Sequence, residues 1–341
     1  MLFIMIIMEI SSNSEIRSYL NRLKRNININ YQNDFLDGYV SLKDEKEAKK
    51  ELYLAGQQEF IDDSISLFIN SDDWNNNPYV KNIRFDNLTN KNFSYKKVTI
   101  KKGYLFNADS IVDDKDKELK DYMKLRALDK DIETLFLYQD DKEWMMAVPS
   151  ESLTNDPYAK KAHGNIVTFG LGIGYFVYMA MLNENVKSIT VIEKSKEVIE
   201  LFKEIRNQFP NTKLEIINGD AYDYFNEKYL SNFDYIYVDI WKSSDDGREI
   251  IEKLLKQYLP PLNKCDFWIE NSCLSVIKTL IYLYYDELVY KHKNIVKKEY
   301  VHLMNKTRKY FDNLNIKVDD VDTLKHYMYD KEGLREILAL K

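Results

Sequence analysis

The chain has 341 residues, of which 45% are hydrophobic and 30% charged. That excludes a disordered chain and suits one large domain or two ordinary ones. Its 49 basic and 55 acidic residues give a formal charge of -6, so no overall basic excess pulls the molecule onto nucleic acid. The only cysteines, Cys265 and Cys273, support neither a disulfide framework nor a zinc knuckle and fit a reducing, cytoplasmic setting.

In chain order, the apolar run Met1–Met8 lacks a basic leading region and is closed by Glu9. It is far short of the roughly 20 residues of a membrane span, and either an edge strand or an over-long start, with Met5 and Met8 as alternative first residues, is expected. Helices are expected around Glu15–Leu23 and Lys46–Leu54, and a turn or loop at Asp72–Pro78. Strands are expected at Lys97–Ile100 and Tyr104–Phe106, with a solvated charge run at Asp113–Lys117. These make residues 1–130 a mixed α+β N-terminal domain, roofing whatever site the rest of the chain builds. Thr134–Tyr138 and Trp144–Val148 read as a hairpin within a connecting segment, 131–160.

From residue 161 to 272 the pattern changes. Asn165–Phe169 reads as a short buried strand and Tyr175–Leu182 as a helix. Further strands are expected at Ser188–Ile192, Leu214–Ile217, Tyr235–Val238 and Asp266–Ile269. Ser195 is a helix N-cap, followed by Val198, Leu201, Phe202 and Ile205 at helical spacing. Ile250, Ile251, Leu254, Leu255 and Tyr258 mark another helix, ended by Pro260-Pro261. Strands alternating with such helices predict an α/β fold with a mainly parallel, Rossmann-like sheet, whose ligands bind at the carboxyl ends of the strands. Residues 273–341 read as mainly helical, with one candidate strand at Ile316–Val318, so the sheet is shortened or finished differently.

The chain contains ten glycines, and four of them, Gly164, Gly170, Gly172 and Gly174, fall within eleven residues. Glycine is favoured where backbone bends tightly or approaches a ligand closely. A glycine turn that opens a helix offers backbone N–H groups and the positive end of the helix dipole. Glu193, 23 positions beyond Gly170, has the spacing of an acid that accepts ribose hydroxyls. The dinucleotide fingerprint would place its third glycine at 175, where this chain has Tyr175. The glycine falls one residue earlier and gives G-x-G-x-G.

With these residues the chain resembles the class I S-adenosylmethionine-dependent methyltransferases over about residues 163–272. The resemblance implies that Gly170, Leu171, Gly172 and Gly174 pack against the amino-acid part of S-adenosylmethionine. It implies further that Glu193 holds the ribose and that Asp220, with Ala221 beside it, meets the adenine. Asp239 falls near the methyl group and substrate, as a candidate for orientation or base work. Thr168 departs from the pattern, standing where the family often has an acid. The implied reaction is methyl transfer to an O or N atom of an unidentified acceptor, with a small molecule favoured.

The spermidine synthase-like aminopropyltransferases are similar in fold and in their β-rich N-terminal portion, and aminopropyl transfer is the alternative. For it Asp239, Asp245 and Asp246 would supply carboxylates, while Ile173 replaces that family's acid in the glycine turn. A cofactor-binding module without catalysis is a third reading. Trp241 and Tyr175 are candidates for stacking, with core packing the competing role. The scattered histidines, His163, His292, His302 and His326, have no metal-ligand spacing. The stretch 291–309 combines Lys291, Lys293, Lys297, Lys298, Lys306, Arg308 and Lys309 with tyrosine, compatible with a nucleic-acid surface or a solvated face.

Overall fold

The computed structural model describes residues 8–30, 38–41, 44–61, 63–85, 88–109, 118–119 and 123–341. Most of the apolar start and the charge run at 113–117 lie outside them. At its centre five strands run parallel: β1 (Gly164–Phe169), β2 (Val186–Glu193), β3 (Lys213–Asn218), β4 (Tyr235–Val238) and β5 (Cys265–Phe267). Their spatial order is 3-2-1-4-5, so the order reverses beside β1 and opens a crevice at the strands' carboxyl ends. Central strands β1 and β4 are almost wholly buried, as expected for a sheet covered on both faces.

Alternation along the strands divides the core in two. On one face Ile166, Ile189, Val191, Tyr235 and Tyr237 pack with α1 (Pro149–Lys161), α2 (Tyr175–Met181) and α3 (Lys196–Ile205). On the other, Val167, Phe169, Ile192, Ile236 and Val238 pack with α4 (Ser244–Gln257) and the C-terminal helices. Helix α3 begins as its sequence predicts, with the Ser195 hydroxyl accepting from Val198 N at 3.2 Å.

The N-terminal portion supplies a second sheet of Phe93–Ile100, Ile132–Gln139 and Lys142–Met146, all antiparallel. Its hairpin turns at Asp140 and Asp141, whose φ angles are +49° and +61°, the left-handed pair that a type I′ turn requires. Helix Ser14–Asn30 packs instead on the C-terminal side, where Ile16, Tyr19, Leu20 and Leu23 share a core with the last helices.

Two expectations change, and the shortened sheet is as expected. The segment expected as a loop at Asp72–Pro78 carries helix Ser71–Asn75, capped by Asn70, and Pro78 opens another helix capped by Asn77. The connecting segment contains α1, thirteen residues long with Pro149 in its first turn. Strand Lys317–Val318 pairs with Glu9–Ile10, so β5 stays an edge of the central sheet, and helical packing completes the fold. Among the described residues, no helix is long and apolar enough to cross a membrane. Both cysteines are free and buried, and burial pushes the Cys265 thiol up to about 12.

Candidate functional site

A cavity of about 750 Å³ opens at the carboxyl ends of the parallel strands, within the usual size range of a small-molecule site. Its floor is the glycine turn. Gly170 and Gly172 have φ angles of +95° and +52°, and the chain comes too close to its neighbours there for side chains. A Cβ on Gly170 would strike the Asp239 carbonyl oxygen, and one on Gly172 would lie 2.5 Å from the Met145 sulfur. The hairpin therefore roofs the turn directly, through Met145 with Trp144 and Met146 also on the cavity wall.

The structure brings Gly170, Leu171, Gly172, Glu193, Asp220, Ala221 and Asp239 together on this cavity. Gly174 is not among its lining residues. It is the N-cap of α2 at φ +78°, and a Cβ there would meet Phe202 and Phe209 at 3.0 Å. Its sequence signal reflects helix packing.

Glu193 ends β2 and is 7% exposed. One oxygen accepts from Leu171 N at 2.9 Å and the other from Ser195 N at 2.7 Å. Burial raises its carboxyl above the ordinary range, against the lowering effect of these amides. Each oxygen retains a lone pair for a ligand hydroxyl. Asp220, just past β3, caps the turn Ala221–Tyr224 by accepting from Tyr222 N at 3.1 Å. The Lys194 ammonium lies 2.8 Å from its other oxygen and holds the carboxyl below its ordinary value.

Sequence reasoning missed Glu151, which reaches the cavity from α1. Burial raises its carboxyl to about 7, and Asn155 Nδ2 donates to it at 3.1 Å. Asn155 is fixed in turn by the Tyr237 hydroxyl at 2.8 Å. Asp239, at the end of β4, is held well above the carboxylate range by burial and then by the charge of Glu151. The sequence did hold a clue. Pro149 followed by Glu151 is a helix-start pattern, but Pro157 inside the segment masks the helix.

The other candidates divide. Tyr175 and Trp241 border the cavity but are 3% and 7% exposed. The Tyr175 hydroxyl is taken by Asp156 and Asn77, and its ring stacks on Trp74. Asp245 and Asp246 are not among the lining residues, and Asp246 is used in the capping box of α4. His163 is also absent from the lining and contacts the Lys161 carbonyl. Among the described residues, no group of three or more His, Cys, Asp or Glu could hold a metal ion.

In the basic stretch, Lys306 pairs with Glu252 and Arg308 with Glu287. The Lys309 ammonium donates to the Lys341 carbonyl. Lys291, Lys293, Lys297 and Lys298 are exposed.

No family model matches the chain, and no curated protein matches it. Among solved structures, spermidine synthase from Thermotoga maritima is similar at 15% identity and a TM-score of 0.26, over 37% of this chain and 47% of that one. A provisional SAM-dependent methyltransferase from Streptococcus mutans is similar at 12% identity and 0.28, over 43% of each chain. Shikimate dehydrogenase from Mycobacterium tuberculosis is similar at 12% and 0.23, over 41% of this chain and 58% of that one. Each match spans less than two thirds of the neighbour's length.

Proposed function

We propose that the cavity binds S-adenosylmethionine and that the protein transfers its methyl group to an N or O atom of a small acceptor. The observation that carries this reading is the convergence on one crevice of the glycine turn, Glu193 at the end of β2 and Asp220 after β3. A nucleoside needs that set: a wall without side chains, an acceptor for ribose hydroxyls and an acceptor for the adenine amine. When bound, S-adenosylmethionine supplies a methyl carbon whose bond to sulfur breaks as the acceptor lone pair attacks, leaving a neutral thioether.

The residues then have separable tasks. Gly170 and Gly172 let the ligand approach the backbone, and Glu193 both braces the turn and orients the ribose. Asp220 gives up Lys194 to meet the adenine. Asp239 faces the acceptor, where it orients the nucleophile and takes the proton the acceptor must lose. Much of the rate comes from holding the reacting atoms in line within a closed space, to which the Met145 roof contributes by excluding water.

Aminopropyl transfer has less support, because Ile173 occupies the turn where an acid would be needed and Asp245 and Asp246 stand outside the cavity. The test is incubation with S-adenosylmethionine labelled on the methyl group, together with amine and hydroxyl acceptors. Label in an acceptor, with release of S-adenosylhomocysteine, supports methyl transfer. Product formed only from the decarboxylated cofactor overturns it.

A further inference from the structure

A second cleft, of about 490 Å³, lies between helix Ser14–Asn30 and helix Ser275–Tyr290. Methyl transfer makes no use of it. Arg17, Asn21 and Lys24 recur at helical spacing and so share one face of the first helix, and all three line the cleft. The Arg17 Nε is held by Ser12, and its guanidinium lies 5.4 Å from the Tyr290 ring centre. Lys24 is exposed, and among the described residues neither cation has a carboxylate partner. The one acid among the described lining residues, Asp286, is already met by His292 Nε2 at 3.0 Å and by Asn294 Nδ2 at 3.1 Å. Two cations are left to spare, which is what a phosphate group requires.

The loop that follows Tyr290 lends His292 and Asn294 to this cleft and carries an independent feature. Lys291, Lys293, Lys297 and Lys298 are exposed and have no ion pair among the described residues. Ile295, between them, is 100% exposed. Its backbone is nonetheless pinned. Asn294 donates its N–H to Glu287 at 2.8 Å and its side-chain amide to the Leu283 carbonyl at 2.9 Å. An isoleucine held outward forgoes the gain of burial, and the four lysines around it repel one another. Both effects are relieved against a surface that is apolar within and negatively charged at its edge. Single-stranded nucleic acid matches the charge but needs open aromatic faces. Here Tyr290 and Tyr300 are half-buried, with Arg17 over one ring and Arg248 over the other, and the group on offer is aliphatic.

We propose that this face docks on an anionic lipid bilayer. Ile295 enters the interface, the four lysines lie over the headgroups, and one lipid phosphate sits in the cleft with Arg17 and Lys24. Charge and apolar contact are the two signals that together hold a peripheral protein at a membrane. The docking stands independently of methyl transfer.

The experiment is flotation of the full chain with two kinds of vesicle, one of phosphatidylcholine alone and one of equal parts phosphatidylcholine and phosphatidylglycerol. Wild type is compared with Ile295→Ser and Lys24→Ala, and an oligouridine titration runs in parallel. Both positions are exposed, so neither change threatens folding. The wild type is expected to float with the phosphatidylglycerol vesicles and not with phosphatidylcholine alone. Ile295→Ser weakens that partition by about tenfold, and Lys24→Ala weakens it by about fivefold. No flotation with the anionic vesicles, or flotation unchanged in Ile295→Ser, overturns the proposal. Oligouridine binding in place of flotation overturns it in favour of nucleic acid. Unchanged flotation of Lys24→Ala, with Ile295→Ser impaired, overturns the headgroup site in the cleft.

Discussion

The carboxylate of Glu193 accepts the backbone amide of Leu171 at 2.9 Å, tying the end of β2 to the glycine turn across a gap of 22 residues. The same side chain is expected to hold the ribose, so it carries two duties. Glu193→Ala removes the brace as well as the ligand contact and strands the buried Leu171 amide and the part-buried Ser195 amide, a loss of about 1–3 kcal/mol. Urea denaturation is expected to show that loss, alongside nucleoside binding at least about tenfold weaker. Glu193→Gln keeps one acceptor oxygen and falls between the two. An alanine variant with wild-type stability would show that the brace contributes nothing.

Gly170 and Gly174 separate contact from packing. Both have positive φ, where an alanine costs about 1–2 kcal/mol. Gly170→Ala also drives a methyl into the Asp239 carbonyl, so it is expected to lose binding together with stability. Gly174→Ala presses on Phe202 and Phe209, away from the cavity, and is expected to lose stability while its folded fraction binds normally. Equal loss of affinity in both variants, corrected for folded fraction, would contradict this division.

This pair also shows how far the sequence could be read. Glycine spacing and strand-end acids located the crevice because both are local, and the strand order only had to bring them together. The separate role of Gly174 was not legible, since it depends on which side of α2 meets Phe209, some 35 residues later. Glu151 was hidden for a different reason. Pro149 and Pro157 obscure the helical period of α1, and the conjunction of Glu151 with Asp239 is made only by packing that helix on the sheet.

The Lys194–Asp220 pair is exposed on the lysine side, with Lys194 79% accessible. Solvent-screened pairs of this kind contribute little, so Lys194→Ala is expected to leave the melting temperature within about 2 °C. If Asp220 must leave Lys194 to meet adenine, that variant binds nucleoside as well as the wild type or better, whereas Asp220→Asn weakens it. Weaker binding by Lys194→Ala would mean that the lysine itself holds the ligand.

Glu151 gives the ligand-free protein a pH signature. A carboxyl whose folded-state value is raised from 4.5 to about 7 binds its proton more tightly in the native than in the unfolded chain. Stability therefore falls as pH rises through that window, by on the order of 3 kcal/mol at most. The neighbouring Asp239, also raised, acts in the same direction. Denaturation midpoints between pH 5 and 8 are expected to decline in the wild type and to decline less in Glu151→Gln. Parallel profiles would place Glu151 in water.

On the other side of the sheet, Arg335 and Glu270 are each 1% exposed and meet at 2.6 Å. The pair clips helix Lys331–Ala339 to the end of β5, with Lys331 also 2.7 Å from Glu270. Arg335→Met leaves a buried carboxylate with one partner and is expected to cost about 3 kcal/mol, most of it regained in Arg335→Met with Glu270→Leu. Nucleoside affinity stays unchanged in both. A double variant less stable than the single one would show that the pair is a net contributor to the fold.

Cofactor binding at the glycine turn is tested most directly by calorimetric titration of the full chain with S-adenosylmethionine and with NAD, beside Asp220→Asn, which keeps a capping oxygen. Saturable binding of S-adenosylmethionine in preference to NAD, weakened by the single change, is the predicted result. Preference for NAD, or no binding of either ligand by a folded wild type, would contradict it.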